Sequence, residues 1–303
     1  MSVSLKQIRY FIAAAESGQI SQAAVELNVS QSAVTAAVQQ LEAALGLRLF
    51  DRKAGGVSLT PEGSRFLLHG RNVMASVAEA MRAPLTSGLS VSGRVRVGVS
   101  YTVAGYFLPR HHARFMVSLP HVELDLHEAT REAIEQALID GSLDIAVVLV
   151  ANLEARDRLA SEVLLRSRRR LWLPVEHALL KRSAIRLADV AEYPYVMLTV
   201  DEAEQTAERY WARSRHRPQV MFRTSSVEAV RSMVAAGMGI TILSDMVYRP
   251  WSLEGQRIET RLVQPDIPSM DVGLAWRRDA EPSPATRAFH DFMSLAFAGS
   301  GHP

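Results

Sequence analysis

The chain has 303 residues, of which 48% are hydrophobic and 22% charged, so it is an ordered globular protein long enough for two or three domains with their own cores. Its formal net charge of +2 at pH 7 means that any affinity for nucleic acid must come from a local surface. The absence of cysteine excludes disulfides, thiolate metal sites and a thiol redox switch. With no apolar N-terminal signal segment and no apolar run of roughly twenty residues, we expect a cytoplasmic protein without a membrane partner.

The first thirty residues predict two helices joined to a third by a tight turn. An apolar stripe marks the first helix: Leu5, Ile8, Phe11, Ile12 and Ala15. Ser21 is expected to cap a short second helix, in which Ala23 and Ala24 allow close packing. The turn is expected at residues 28–29. This layout is typical of a helix-turn-helix.

The third helix has an apolar face and a polar face. Its apolar residues recur at steps of four, three and four: Val34, Val38, Leu41 and Leu45. The opposite face is small and neutral: Ser32, Ala36, Gln39 and Ala43. Ser30 is the expected N-cap, and Gln31 and Thr35 lie near the first turn, where helix N–H groups favour a phosphate. Such side chains can bind base edges in the major groove, or they can simply solvate an exposed helix.

A basic hairpin follows the third helix. Two short apolar runs flank Gly55 and Gly56, a pairing that predicts a hairpin turn. Arg52 and Lys53 stand at its tip and can contact phosphate or enter a minor groove. Taken alone, such a hairpin is a solvated turn. Directly after a helix-turn-helix, it indicates a wing.

Four segments of the chain, in order and spacing, carry a resemblance to a known family. They are Leu-Lys-Gln-Ile-Arg-Tyr-Phe from residue 5, Ser-Gln-Ser-Ala-Val-Thr from 30, Gln-Leu-Glu-Ala-Ala-Leu-Gly-Leu-Arg-Leu-Phe-Asp-Arg from 40, and Leu-Thr-Pro-Glu-Gly from 59. Together they resemble the LysR-type transcriptional regulators. The resemblance implies base or phosphate contacts by Gln31, Ser32 and Thr35, and a wing contact by Arg52. Ala36 stands where the family often has arginine, so we expect dimer spacing and DNA shape to supply much of the specificity.

A long helix is predicted after the wing. Thr60, Pro61 and Glu62 form an N-cap, a proline at the first position and an acid in the first turn. Its apolar stripe can pack on its own domain or pair with a partner's helix: Leu67, Leu68, Val73, Met74, Val77 and Met81. The resemblance implies dimerisation through this linker helix. We therefore divide the chain into a winged helix-turn-helix domain (1–60), a linker helix (61–87), a hinge (88–93) and an effector-binding domain (94–303).

From residue 94, strand and helix patterns alternate. Three strands, near 95–99, 122–126 and 143–148, enclose helices in βαβαβ order, which predicts an α/β fold with a parallel sheet covered by helices on both faces. Further strands are predicted near 170–173, 195–199, 220–223, 239–243 and 272–277. The stretches 141–146, 175–179 and 234–243 are similar to the LysR effector module. That resemblance implies two lobes like those of periplasmic binding proteins, lobe I at about 94–165 and 268–303 and lobe II at about 166–267.

Hydroxyl residues follow the predicted strands, where ligands bind in open parallel sheets. They are Ser100, Thr102, Thr130, Thr199, Ser225 and Ser226. Hydroxyls and helix N-termini in a cleft suit an anionic metabolite, although each residue is equally suited to be an N-cap. Arg131 can pair with a carboxylate or remain solvated. The arginines at 166 and 168–170 can form a second nucleic-acid patch, a lobe edge or a subunit contact.

The sequence favours a ligand-responsive transcription factor over two alternatives. A solute-binding protein with an extra domain is disfavoured by the missing signal segment. An enzyme built on the α/β module is disfavoured because no nucleophile-base set, metal spacing or phosphate loop is found. We therefore expect no catalytic residue, metal or cofactor. The expected partners are an operator in double-stranded DNA, a small-molecule effector, RNA polymerase and a second copy of the chain, as a homodimer or a homotetramer built as a dimer of dimers.

Overall fold

The computed structural model describes residues 3–27, 29–53, 56–82 and 91–297. The chain forms two compact units, Met1–Leu89 and Ser90–Pro303. No helix in the described ranges is both long enough and apolar enough to cross a membrane.

The first unit is built on three helices around one core. Helix α1 spans Leu5–Ser17, α2 spans Ile20–Glu26 and α3 spans Gln31–Leu45. A capping box between Ser4 and Gln7 opens α1, because each residue satisfies a backbone N–H of the other. The predicted stripes face inward: Phe11, Val34 and Leu41 are fully buried. The helix-turn-helix predicted from the apolar spacing is confirmed.

The start of the second helix differs from the prediction. Gln19 is the N-cap of α2, with extended backbone (φ −144°) and no side-chain cap bond, and Ser21 lies inside the first turn. The prediction that Ser21 caps this helix was therefore wrong, since the non-helical residue comes two positions earlier. Of the predicted turn at 28–29, residue 28 lies outside the described ranges, and the N–H of Val29 donates to the carbonyl of Ala24 at 3.0 Å.

The predicted hairpin is confirmed as two antiparallel strands, β1 (Phe50–Lys53) and β2 (Gly56–Leu59). Phe50 packs on Phe11 of α1, with ring centroids 5.1 Å apart. A Cβ on Gly56 would lie 2.4 Å from the carbonyl oxygen of Gly18, so only glycine fits there. The N–H of Val57 donates to that same carbonyl at 2.8 Å. The hairpin is thus fastened to the C-terminal end of α1.

Helix α4 spans Pro61–Arg82 and begins at the predicted cap, where the hydroxyl of Thr60 accepts the N–H of Gly63 at 2.9 Å. Its first turns belong to the helix-turn-helix core, since Phe66 and Leu67 pack against it. Farther along, the side chain of Val73 is 42% exposed. The side chains of Leu68 and Met81 lie outside the described part of the chain. The first half of the predicted stripe therefore packs on its own domain, and pairing of the second half with a partner stays a prediction.

The second unit contains two groups of strands covered by helices. The strands are β3 (Gly93–Val99), β4 (Val122–Glu128), β5 (Ile145–Leu149), β6 (Leu159–Ser167), β7 (Arg169–Pro174), β8 (Pro194–Leu198), β9 (Gln219–Thr224), β10 (Thr241–Ser244), β11 (Ile258–Arg261) and β12 (Met270–Arg277). The helices are α5 (Tyr101–Tyr106), α6 (Leu108–Ser118), α7 (Arg131–Asp140), α8 (Leu187–Val190), α9 (Ala203–Ala212), α10 (Val227–Ala235) and α11 (Pro284–Phe297).

The first sheet has strand order β4-β3-β5-β12-β6. Strand β3 is parallel to β4 and β5, as predicted, but β12 runs antiparallel to both β5 and β6. The sheet is therefore mixed, because β12 returns from the other lobe in the opposite direction. The second lobe holds an antiparallel group, β10-β7-β11, and a parallel pair, β8-β9. Backbone hydrogen bonds between β8 and Ile240, just before β10, connect the pair to the group.

A buried histidine in α6, His111, is expected to make the stability of the fold sensitive to acid. The ring of His111 lies between Phe107 and Phe297, at centroid distances of 4.8 and 5.0 Å. Burial, assisted by the charges of Arg110 and Arg114, lowers the pKa of His111 to about 3. The unfolded chain, with a histidine pKa of roughly 6.5, binds more protons between those values, so stability is lost as pH falls through that window.

We expect the free energy of unfolding to fall by up to about 1.4 kcal/mol per pH unit below about pH 6.5, and the substitution His111→Gln to reduce that slope. Urea titrations near pH 7 and pH 5 measure both. The substitution Gln136→Ala, at an exposed glutamine of α7 that carries no titratable group, is the control and should leave the slope unchanged. A slope in the His111→Gln protein equal to that of the parent chain would contradict the assignment.

Candidate nucleic-acid interface and effector site

The polar face of α3 is exposed and ordered at its N-terminus. The hydroxyl of Ser30 accepts the N–H of Ala33 at 3.2 Å and lies 3.0 Å from the hydroxyl of Ser32. The hydroxyl of Thr35 donates to the carbonyl of Gln31 at 2.9 Å, which leaves its oxygen free to accept. Ser32, Gln39 and Gln31 are exposed. The cap and face predicted from the sequence are in place.

A concave groove of about 490 Å³ lies between this face, the start of α2 and the hairpin. Gln31, Thr35 and Gln39 line one side, and Gly56 and Val57 line the other. The groove therefore joins the two elements that the sequence singled out, the third helix and the wing.

Glu42 fixes the hairpin relative to α3. One of its carboxylate oxygens accepts the N–H groups of Leu49 and Phe50 at 2.7 and 3.1 Å. The backbone of Arg52 and Lys53 pairs with Val57 and Gly56, while their side chains lie outside the described part of the chain. The carboxylate of Glu42 therefore connects α3 to the start of the hairpin.

In the second unit, the strand-end hydroxyls are found where the sequence predicted, but several are already engaged. Thr130 caps α7 and Ser226 caps α10, through the N–H groups of Ala133 and Ala229. Ser225 is exposed and Thr199 half-buried. The hydroxyl of Ser100 is buried and has no hydrogen-bond partner within the described ranges. The alternative role as N-caps thus holds for Thr130 and Ser226.

Thr102 is already hydrogen-bonded to a carboxylate of the protein itself, that of Asp201. The N–H and hydroxyl of Thr102 donate to Oδ2 of Asp201 at 2.7 and 2.5 Å. Asp201 and Glu202 both have left-handed backbone, with φ of 52° and 55°. That conformation is costly for residues with a Cβ, so the surrounding contacts must hold it. An acidic group of lobe II therefore occupies the donors at the end of β3.

Glu202 and Arg131 extend this contact between the lobes. Asn152 donates to the carbonyl of Asp201 at 3.1 Å and to Glu202 at 3.2 Å. Burial raises the pKa of Glu202, an effect that Arg131, 3.3 Å away, opposes. Arg131 also contacts three further carboxylates: Glu132, Glu135 and Glu154. Its charge is satisfied within the fold, so neither a solvated arginine nor a free ligand contact describes it.

A separate cavity of about 210 Å³ lies where the chain crosses between the lobes. Its wall consists of residues from the end of β5, the start of β7, one face of α9 and the segment leading into β12: Leu149, Ala151, Asn152, Arg169, Thr206, Arg209, Tyr210, Arg213, Pro268, Ser269, Met270 and Asp271. Three guanidinium groups and one carboxylate give this wall a net charge of +2. The cavity is basic, in contrast to the acidic contact at Thr102.

Two family profiles cover nearly the whole chain. Residues 5–64 match the profile described as "Bacterial regulatory helix-turn-helix protein, lysR family", and residues 89–298 match "LysR substrate binding domain". The chain belongs to the LysR family. It is accordingly a transcriptional regulator with an N-terminal helix-turn-helix domain and a C-terminal effector-binding domain, and its relatives are regulators, not enzymes.

Two LysR-family relatives match over nearly their full length. The chain is 32% identical over 297 residues to a protein named "RuBisCO operon transcriptional regulator" from Allochromatium vinosum, covering 97% of this chain and 96% of that one. It is 25% identical over 306 residues to "Transcriptional dual regulator GltC" from Bacillus subtilis, covering 98% of each.

Solved LysR structures share the fold. HinK of Pseudomonas aeruginosa matches with a TM-score of 0.63 at 24% identity, over 97% of this chain and 98% of that one. Full-length CbnR, solved in complex with its target DNA, matches with a TM-score of 0.56 at 19% identity, over 97% and 99%.

Sequence reasoning named Arg131 and Arg169 but missed four other charged residues of the second unit: Asp201, Glu202, Arg209 and Arg213. Asp201 and Glu202 lack a local signal, because their role depends on a left-handed backbone and on residues far along the chain. Thr206, Arg209 and Arg213 did carry one, since a spacing of three and four places them on one side of α9 and its C-cap. Among the described residues, no group of three or more histidines and acids is placed to hold a metal.

Proposed function

We propose that this LysR-family chain binds a specific operator through α3 and the wing, under the control of a small anionic metabolite bound between the two α/β lobes. The proposed DNA contacts are Ser30, Gln31, Ser32, Thr35, Gln39, Arg52 and Lys53. The observation that supports DNA binding is the groove in which the exposed polar face of α3 meets the hairpin, with the carboxylate of Glu42, which lines the same groove, bonded to the backbone of Leu49 and Phe50. Hydroxyl and amide groups on such a face suit the major groove, and cations on a wing suit phosphates.

The proposed contacts for the effector lie at the strand ends. They are Ser100, Thr102, Thr130, Thr199, Ser225 and Ser226. The buried, unpartnered hydroxyl of Ser100 supports a ligand at this edge. Thr102 would contact one only after Asp201 moves, so effector binding and the Asp201 contact would be coupled.

We also propose that the chain acts as a homodimer or as a homotetramer, paired through the second half of α4 (residues 61–87 as linker, 88–93 as hinge). Pairing would place two recognition helices on successive half-sites of a pseudo-palindromic operator. Effector binding would change the lobe or subunit angles, and thereby the bend of the DNA and its contact with RNA polymerase. The exposed Val73 supports pairing through α4, and the CbnR complex with its target DNA supports contact with an operator.

Sequencing the DNA recovered with the protein from cells tests the proposal. We expect an enriched motif with two related half-sites about one helical turn apart, close to a small set of genes. Recovery of unenriched genomic DNA would overturn it. The genes beside the recovered sites would also indicate the chemistry of the effector.

A further inference from the structure

Three arginines converge on the cavity between the lobes. Thr206 and Arg209 of α9 and Arg213, the C-cap of that helix, line the cavity together with Arg169, at the start of β7. Within the described part of the chain, neither Arg209 nor Arg213 contacts a carboxylate, whereas Arg94, Arg131 and Arg231 each do. Two like charges one turn apart also repel each other. An anion in the cavity would relieve that repulsion.

Arg169, which is half-buried, forms another part of this basic wall. Its Nη1 donates to the carbonyls of Pro268 and Ser269, the latter at 2.7 Å. Burial lowers the pKa of Arg169, an effect that the nearby Asp271 carboxylate opposes. The carboxylate on this wall, Asp271, accepts the hydroxyl of Ser269 at 2.6 Å and lies 3.7 Å from Arg166.

The size and position of the cavity limit what it can hold. A volume of about 210 Å³ corresponds to roughly seven water molecules, so the ligand has on the order of ten heavy atoms. Guanidinium groups match carboxylate and phosphate oxygens in pairs. Both connections between the lobes pass along the wall, at Arg169 and at Ser269, so a ligand here would set the angle between the lobes.

Asn152 connects the cavity to the occupied strand end. It lines the cavity and also donates to the carbonyl of Asp201 and to Glu202, while α9 begins directly after Glu202. A ligand that draws in α9 or Asn152 would therefore act on the contact between Asp201 and Thr102.

We propose that this cavity is the site at which the regulator binds the anionic end of its effector, a small dianion held by Arg169, Arg209 and Arg213. The inference rests on the proposed function and sharpens it, because it moves the charged end of the ligand from the strand-end hydroxyls to the crossover. The strand-end residues then face the remainder of the ligand.

Calorimetric titration of the full-length chain at constant ionic strength tests the site. The probes are inorganic phosphate and succinate, which separate a phosphate from a dicarboxylate ligand, and succinamide, which has the shape of succinate without its charge. We expect at least one dianion to bind and succinamide not to bind. The double substitution Arg209→Gln/Arg213→Gln should weaken that binding at least tenfold; its two sites are exposed, so the fold should be retained.

The control is Arg158→Gln/Arg287→Gln, at two exposed arginines outside the cavity, and it should bind like the parent chain. Equal binding by the parent and the Arg209/Arg213 variant, or no binding of either dianion by the parent, would overturn the site. Recovery of an operator motif by both variants keeps this outcome separate from the DNA proposal: a regulator that reads its operator but ignores dianions disproves only the cavity.

Discussion

Replacing Thr35 and Gln39 with alanine should lower the affinity of the full-length chain for its operator by about 10²-fold, while its affinity for random DNA falls much less. Each side chain that pairs with a base edge contributes roughly 1–3 kcal/mol of discrimination, whereas neither residue carries charge to attract phosphate. Both lie on the groove beside the wing, and alanine is a stronger helix former than either. The loss should therefore come from missing contacts and not from an unravelled helix.

Fluorescence anisotropy with labelled operator and with a scrambled duplex, at one fixed salt concentration, measures the two affinities. Gln136→Ala is the matched control, since Gln136 is an exposed glutamine on helix α7 of the second unit. It should change neither affinity. An equal loss on operator and scrambled DNA would mean that α3 contributes only to electrostatic binding, and the proposed base contacts would be withdrawn.

Much of this surface could be predicted from the sequence, because its determinants are local. The spacing of Val34, Val38 and Leu41 defines a buried side, and the exposed side follows from it. Ser30 caps α3 through a bond three residues away. The role of Glu42 could not be predicted, because its carboxylate bonds backbone groups seven and eight residues farther on, across the turn into the wing.

In the second unit, several features of the fold and of the site could not be predicted from the local sequence pattern. Alternating valines predicted β3, but the direction of β12 is set by the path of the chain between lobes and not by its own residues. Strand β6 was missed, since polar residues interrupt its apolar alternation. The partner of Thr102, 99 residues away, depends on the left-handed backbone at Asp201. Hydroxyls at strand ends could be named from sequence, and their partners could not.

A positively charged side chain, that of Arg231, is buried inside lobe II. Arg231 is 1% exposed and donates to both carboxylate oxygens of Glu228, at 2.9 and 3.1 Å, and to the carbonyls of Val247 and Arg249. Its guanidinium also lies 5.3 Å from the ring of Trp172. Glu228 in turn accepts the hydroxyl of Tyr106 from lobe I at 2.7 Å. One arginine therefore holds together a strand-end loop, helix α10 and a contact between the lobes.

Arg231→Met should lower the free energy of unfolding of the second unit by about 3 kcal/mol. Methionine retains much of the volume, so the cost comes from two carbonyls without donors and a carboxylate without its cation. The bonds from Arg231 also lower the pKa of Glu228, so the substitution should raise that pKa and weaken the Tyr106 contact near acid pH. Urea titration of the full chain, followed by the fluorescence of the buried tryptophans, measures the loss.

The substitution Arg223→Met gives the comparison that isolates burial. Arg223 also pairs with an acid, with its Nε 2.8 Å from Glu204, but more than half of its side chain is exposed to solvent. An ion pair of that kind contributes about 0–1 kcal/mol, because water screens both charges. The two substitutions remove the same atoms from pairs of similar length. If both proteins unfolded at the same urea concentration, the buried network around Arg231 would contribute no more than a surface pair, and the link it makes between Tyr106 and α10 would lose its energetic basis.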